Sequence, residues 1–144
     1  MRIAKLIVND VPLQAMKEHA ECEHPLECCG FLVGRLNGEV GEVLRCLPLV
    51  NELASPTAFR SEPKSILQAF RLLRTEGLEL LAIYHSHPSS PPTPSPQDLA
   101  QNTYGDAIPW IILGKGKVLA WSLRESEYSP VELILLSKEI QSDE

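Results

Sequence analysis

A mixed β-sheet with helices packed on its faces is the fold class this sequence predicts. Three observations predict it. Apolar runs of strand length interleave with segments of helical spacing, but not in a regular βαβ order. Hairpin signals stand towards both ends, at Asn37-Gly38 and at Gly114-Lys115-Gly116. The nearly continuous apolar run from Leu78 to Tyr84 has the composition of a central strand buried on both faces. The chain has 144 residues, which suits one compact domain, and its 44% apolar share is ordinary for a globular protein.

Each element has its own signal. Ile3 to Val8 reads as a first strand. Asp10 is a candidate cap for a helix starting near Val11-Pro12, where proline is tolerated. Leu13, Met16 and Ala20 recur in it at helical spacing. The run Phe31 to Gly34 is joined through Asn37-Gly38 to a partner strand near Glu39 to Leu47. A connection follows, with a short strand expected at Thr57 to Arg60. Ser61-Glu62-Pro63 opens a second helix with Ile66, Phe70 and Leu73 on one face and Gly77 as its stop. The buried strand Leu78 to Tyr84 then ends in His85-Ser86-His87. Residues 88–96 hold five prolines and read as a stiff loop over the strand end. Ser95-Pro96-Gln97-Asp98 starts a third helix. Ile108 to Leu113, Val118 to Leu123 and Val131 to Leu136 are three more strands. The domain is expected to cover residues 1–137, followed by a polar tail at 138–144 that frays at Gln141 to Glu144.

Charge and composition exclude several functions. The net charge is -6 with no basic run, so nucleic acid is not an expected partner. No apolar segment is long enough to span a bilayer. The N-terminus is interrupted by Arg2 and Lys5 and lacks a small-residue cleavage site, so it reads as a first strand and not as a signal peptide, and the expected compartment is the cytoplasm. None of the four cysteines, Cys22, Cys28, Cys29 and Cys46, forms a CxxC, and reduced, mostly buried thiols are expected.

The chemistry concentrates at His85-Ser86-His87-Pro88 and Asp98. A His-x-His pair on a strand puts both rings on one face, because side chains alternate with period two. Asp98 follows eleven residues after His87, so a loop can bring its carboxylate back to them. Three protein ligands leave a fourth tetrahedral position open, the arrangement of a catalytic zinc. Each residue also has a plainer reading. Ser95 and Asp98 match a helix capping box, and one carboxylate is not expected to serve metal and cap equally well. Glu27 by itself is a turn residue, yet a zinc site needs a nearby base. His19 and His24 read as surface residues, and Tyr84 and Trp110 as core or sheet-face residues.

Together these residues resemble the JAMM (MPN+) metalloprotease family, small stand-alone prokaryotic type. That family's motif is an upstream glutamate, His-x-His-Pro, a serine seven residues after the proline and an aspartate three later. Here they are Glu27, His85-Ser86-His87-Pro88, Ser95 and Asp98. Pro25-Leu26-Glu27-Cys28-Cys29-Gly30-Phe31-Leu32-Val33-Gly34 is similar to the family's upstream signature. Asn51, Pro56 and Phe59 stand where prokaryotic members often carry an Asn and a Pro…Phe pair. The resemblance covers roughly residues 1–137 and implies a mixed, curved sheet flanked by helices, of cytidine-deaminase-like α/β (α+β) architecture. It also implies one zinc ion per chain on His85, His87 and Asp98, with Glu27 as general base and Ser95 as oxyanion donor. The implied activity is hydrolysis of a peptide or isopeptide bond at the C-terminal tail of a ubiquitin-like or sulfur-carrier protein. Such an extended tail can add to a sheet edge. Two other readings are a non-catalytic MPN-type scaffold, whose members typically lack the ligands, and a RadC-like DNA-repair-associated protein, which the acidic charge disfavours.

Overall fold

The computed structural model describes residues 3–102 and 107–137. The expected tail at 138–144 lies outside the described residues. Seven strands and three helices follow in the order β1 (Lys5–Val8), α1 (Asp10–Glu23), β2 (Cys29–Asn37), β3 (Val40–Leu49), α2 (Pro63–Glu76), β4 (Glu79–His87), α3 (Pro96–Gln101), β5 (Trp110–Gly114), β6 (Lys117–Arg124) and β7 (Glu127–Leu135). The expected mixed, curved sheet is present, and its curvature goes to completion. The strands close in the order β1-β3-β2-β4-β5-β6-β7, with β1 running parallel to both β3 and β7. A closed sheet has no full-length edge. The sheet-edge addition expected for a substrate tail is therefore restricted to overhangs. One is on β3, where β1 pairs only from Val40 to Val43 and leaves Leu44–Leu49 without a strand neighbour on that side.

Alternation along the strands sorts side chains into two cores. Leu6, Val8, Leu32, Val43, Leu81, Tyr84, Ile111 and Ala120 come from six strands and fill the barrel with Leu13 and Met16 of α1. Phe31, Val33, Leu47, Leu49, Ile83 and Trp110 point outward and pack beneath Ala69 and Leu73 of α2. β4 is shared by both cores and is buried from Leu81 to His87. Its alternation puts Tyr84 and Ser86 on the barrel side, and Ile83, His85 and His87 on the α2 side.

Local chemistry explains the boundaries and three differences from expectation. Asn9, not Asp10, precedes α1, and Asp10 is the first helical residue. The Asn9 amide is occupied elsewhere, donating to Val43 O at 2.8 Å. No strand forms at Thr57 to Arg60. Only an isolated bridge joins Asn51 to Ser61, because the loop's backbone groups bond to one side chain instead of a ladder. Gly38 at φ 63° makes the hairpin turn and Gly77 at φ 67° stops α2, both left-handed as glycine permits. At Gly30 the need is space: an added Cβ would lie 2.3 Å from the Tyr84 ring. Tyr84 OH in turn meets His19 Nδ1 at 2.7 Å, so His19 anchors α1 to β4 and is half-buried, not a surface residue. All four cysteines are unbridged, with Cys28 and Cys29 buried, Cys46 half-buried and Cys22 exposed. Among the described residues no helix is long and apolar enough to cross a membrane.

Candidate active site

His85 and His87 emerge on the α2 side at the C-terminal end of β4, beside the parallel strand β5. The proline-rich segment then turns across β5. Gly114 permits this approach, since a Cβ there would lie 2.5 Å from Ser90 O. Proline has no N–H to satisfy, so such a loop chiefly offers acceptors. Two of them are used: Pro91 O accepts from His87 Nδ1 at 2.8 Å, and Pro92 O accepts from Trp121 Nε1 at 2.9 Å. The loop ends at Ser95, the N-cap of α3, and the first helical turn aims Asp98 back at the histidines.

The three candidate ligands meet. His85 Nε2 and His87 Nε2 are 3.2 Å apart. Asp98 Oδ1 lies 3.1 Å from the first, and Asp98 Oδ2 lies 3.1 Å from the second. All three residues are buried, at 0%, 6% and 3% exposure. The bond to Pro91 O puts a proton on His87 Nδ1, so in the neutral ring Nε2 carries a lone pair. Two imidazole nitrogens and a carboxylate then converge on one point, a donor set that suits a divalent cation. Without a cation the cluster resolves its repulsion with protons. Burial acts against a charged His87, but its hydrogen bonds to Asp98 and Pro91 O outweigh that and raise its pKa. Burial also opposes ionisation of Asp98, but hydrogen bonds from both histidines hold its carboxyl well below the usual range. His85, fully buried, is lowered by desolvation.

At Asp98 the cap and the ligand cluster meet on one carboxylate, with Oδ2 facing both Ser95 N–H and His87 Nε2, and Oδ1 facing His85 Nε2. Oδ2 accepts from Ser95 N–H at 2.9 Å while Asp98 N–H donates to Ser95 Oγ at 3.0 Å, a complete capping box. Oδ1 takes no part in the cap. Ser95 Oγ accepts in the box, and its own O–H proton is not used there.

Glu27 sits 58 residues upstream of His85 but is drawn to the same place by strand pairing. Cys29 lies opposite His85 in the β2–β4 register. Cys28 N–H donates to Ser86 Oγ at 2.9 Å, and Ser86 N–H donates to Cys28 O at 3.1 Å. The residue between the two histidines thus pins the residue after Glu27. Glu27 is 4% exposed. Desolvation raises its pKa to about 7; the neighbouring His87 lowers it and Asp98 raises it. It also lines a cleft of about 290 Å³ with His19, Glu23, Leu49 and Asn51.

Three aromatic contacts enclose His85. Phe59 stacks on it with centroids 4.6 Å apart, and Trp110 meets it edge-on at 5.2 Å. In the sequence Phe59 stands out only as part of a family pattern, and its neighbours Ala58 and Arg60 give no hint of a histidine partner. The third contact is His87, at 5.0 Å. Among the described residues, the buried side-chain polar atoms without a hydrogen-bond partner are Glu27 Oε1, His85 Nδ1 and Trp110 Nε1. All three lie in this one site. Buried polar groups are normally paired, so unpaired ones gathered in one place mark a site built for something other than stability.

Comparison with known proteins identifies the family. The family described as prokaryotic homologs of the JAB domain matches residues 11–124. A probable TtuB-protein conjugate cleaving protease of Thermus thermophilus is 39% identical over 125 residues, covering 86% of this chain and 78% of that protein. A desampylase of Pyrococcus furiosus is 36% identical over 111 residues, 76% of each chain. A protein of Desulfitobacterium hafniense solved in solution superposes with a TM-score of 0.84 at 27% identity, covering 92% of this chain and 93% of that one. The chain belongs to the prokaryotic JAB-domain homologs, small prokaryotic members of the JAMM/MPN proteins that its motif resembles.

Proposed function

We propose that this protein is a zinc-dependent peptidase that hydrolyses a peptide or isopeptide bond at the C-terminal tail of a ubiquitin-like or sulfur-carrier protein. The observation that carries the reading is the convergence of His85, His87 and Asp98 beside a buried Glu27 carboxyl with an unpaired oxygen. Support also comes from relatives whose names describe conjugate cleavage. An inert scaffold has no use for a complete ligand set, and a chain of charge -6 with no basic run disfavours a DNA-bound role.

His85 Nε2, His87 Nε2 and Asp98 Oδ1 would hold the ion. When bound, zinc supplies Lewis acidity and lets water ionise near neutral pH. Glu27 accepts the proton of the attacking water and returns it to the leaving nitrogen. Its raised pKa suits both steps, since a group that titrates near 7 gives and takes protons with similar ease. The Ser95 hydroxyl, fixed by its cap, donates to the oxyanion that forms on the attacked carbonyl. Phe59 and Trp110 hold the His85 ring and exclude water from its flank.

Metal analysis of purified protein tests the ligand set. Wild type is expected to carry about one zinc per chain, as a three-ligand site with an open position does, and to cleave a ubiquitin-like protein fused through its C-terminus to an amine. His87→Ala is expected to lose both properties. Equal zinc in the two proteins would reject the ligand assignment.

A further inference from the structure

Glu27 lies outside every helix and strand, in the short connection between α1 and β2. No ladder fixes its backbone. Its N–H donates to Ser55 O at 2.9 Å, and its carbonyl accepts from Asn51 Nδ2 at 3.0 Å. Both partners belong to the loop between β3 and α2.

Asn51 organises that loop. Its Nδ2 also donates to Ala58 O at 3.0 Å, and its Oδ1 accepts from Leu53 N–H at 3.1 Å and Arg60 N–H at 3.0 Å. A carboxamide has two donor hydrogens and one oxygen with two lone pairs. All four are used here, and all on backbone groups. The loop is therefore folded around one side chain, which also grips the candidate base. The same loop carries Phe59 onto the His85 ring. One amide thus links the position of the proton carrier to the packing of a candidate ligand.

We propose that Asn51 is a positioning residue of this site. It holds the Glu27 backbone, and through it the carboxyl, in register with His85, His87 and Asp98. The inference rests on Glu27 being the proton carrier. Asn51 spends all four of its hydrogen-bonding positions on backbone groups, so it acts through Glu27. Its contribution is directional: misplacing a reacting group by about 1 Å can cost on the order of a hundredfold in rate.

The test uses Asn51→Asp beside wild type and Glu27→Gln. Aspartate keeps an oxygen for Leu53 and Arg60 but turns a second oxygen towards the carbonyls of Glu27 and Ala58. Zinc per chain and KM should stay within about twofold, while kcat falls about 10–100-fold. In the metal-free protein, amide hydrogen exchange should quicken at Glu27 and stay slow at Leu53 and Arg60. Asn51→Ser, which removes the donors without adding charge, should show the same loss of kcat and quicken exchange at all three. A residue that merely staples the loop would lower Tm and leave kcat and Glu27 exchange unchanged, and that result overturns the inference. So does failure of both variants to fold cooperatively, which would make Asn51 a structural residue. If Glu27→Gln is inactive and Asn51→Asp turns over like wild type, only the role of Asn51 falls. If Glu27→Gln keeps its turnover, the assignment of Glu27 falls, and the inference about Asn51 falls with it.

Discussion

At neutral pH the Glu27 carboxyl is asked to be an ion in a place that disfavours ions. Burial raises its pKa from the model-compound 4.5 to about 7, so the folded state prefers the protonated acid. The linkage has a definite sign. In the unfolded chain the group ionises near its usual value, and in the fold it resists until about pH 7. Glu27 therefore costs the metal-free protein nothing below its unfolded pKa, and the penalty grows as pH rises through the interval to about 7. Glu27→Gln should remove that penalty. The metal-free variant is expected to melt above wild type at pH 8 and level with it at pH 4, while hydrolysis falls about 10²–10⁴-fold. Thermal unfolding at the two pH values checks the first half, and turnover with retained zinc checks the second. A variant less stable than wild type at pH 8 would mean that Glu27 is a structural acid. Nothing in the residues around Glu27 announces this burial. The sequence shows a glutamate after Pro-Leu, while the backbone partners Ser55 and Asn51 and the neighbouring His87 and Asp98 are all remote in the chain.

Among the elements, α3 shows how a short helix can do two jobs. Its six residues are too few to stand alone, and the capping box between Ser95 and Asp98 sets its direction. Removing the Ser95 hydroxyl should therefore have two consequences. Ser95→Ala loses the cap, worth about 1 kcal/mol, and loses the proposed oxyanion donor, worth roughly 10²–10³-fold in kcat. Measured on one preparation, both losses are expected. A lowered melting temperature with normal turnover would leave Ser95 as a cap alone. The sequence was most readable at this scale. The capping box, the Asn37-Gly38 hairpin, the Gly77 stop and the apolar run of β4 are local signals, and each produced its element. The failures were competitions between local and distant partners. Asp10 looked like a cap, but Asn9 occupies that position with its amide bonded to β3. Thr57 to Arg60 looked extended, but Asn51 takes the backbone groups that a strand would have paired.

The whole molecule separates stability from chemistry. Its two apolar cores lie inside the barrel and beneath α2, and the candidate ligands sit at one end of β4. Removing metal is therefore not expected to unfold the chain, in contrast to small zinc domains, whose binding energy is their folding energy. Chelation should abolish cleavage while far-UV circular dichroism and a cooperative melt persist. The melt should rise again on adding zinc, by an increment equivalent to roughly 3 kcal/mol at about a hundredfold excess over Kd. Loss of cooperative unfolding on chelation would place the metal in the scaffold instead. Closure of the barrel was the feature least legible in the sequence, because it depends on the register between the first strand and the last, and no local pattern encodes that. The seam from Lys5↔Glu132 to Val8↔Leu135 also sets a schedule. During synthesis, Glu27, His85, His87 and Asp98 are all joined to the chain before β7. The nascent chain thus holds every candidate site residue while the first strand still waits for its last neighbour. Long-range parallel pairing is slow to form, so closing this seam is the step that separates a finished polypeptide from a finished enzyme.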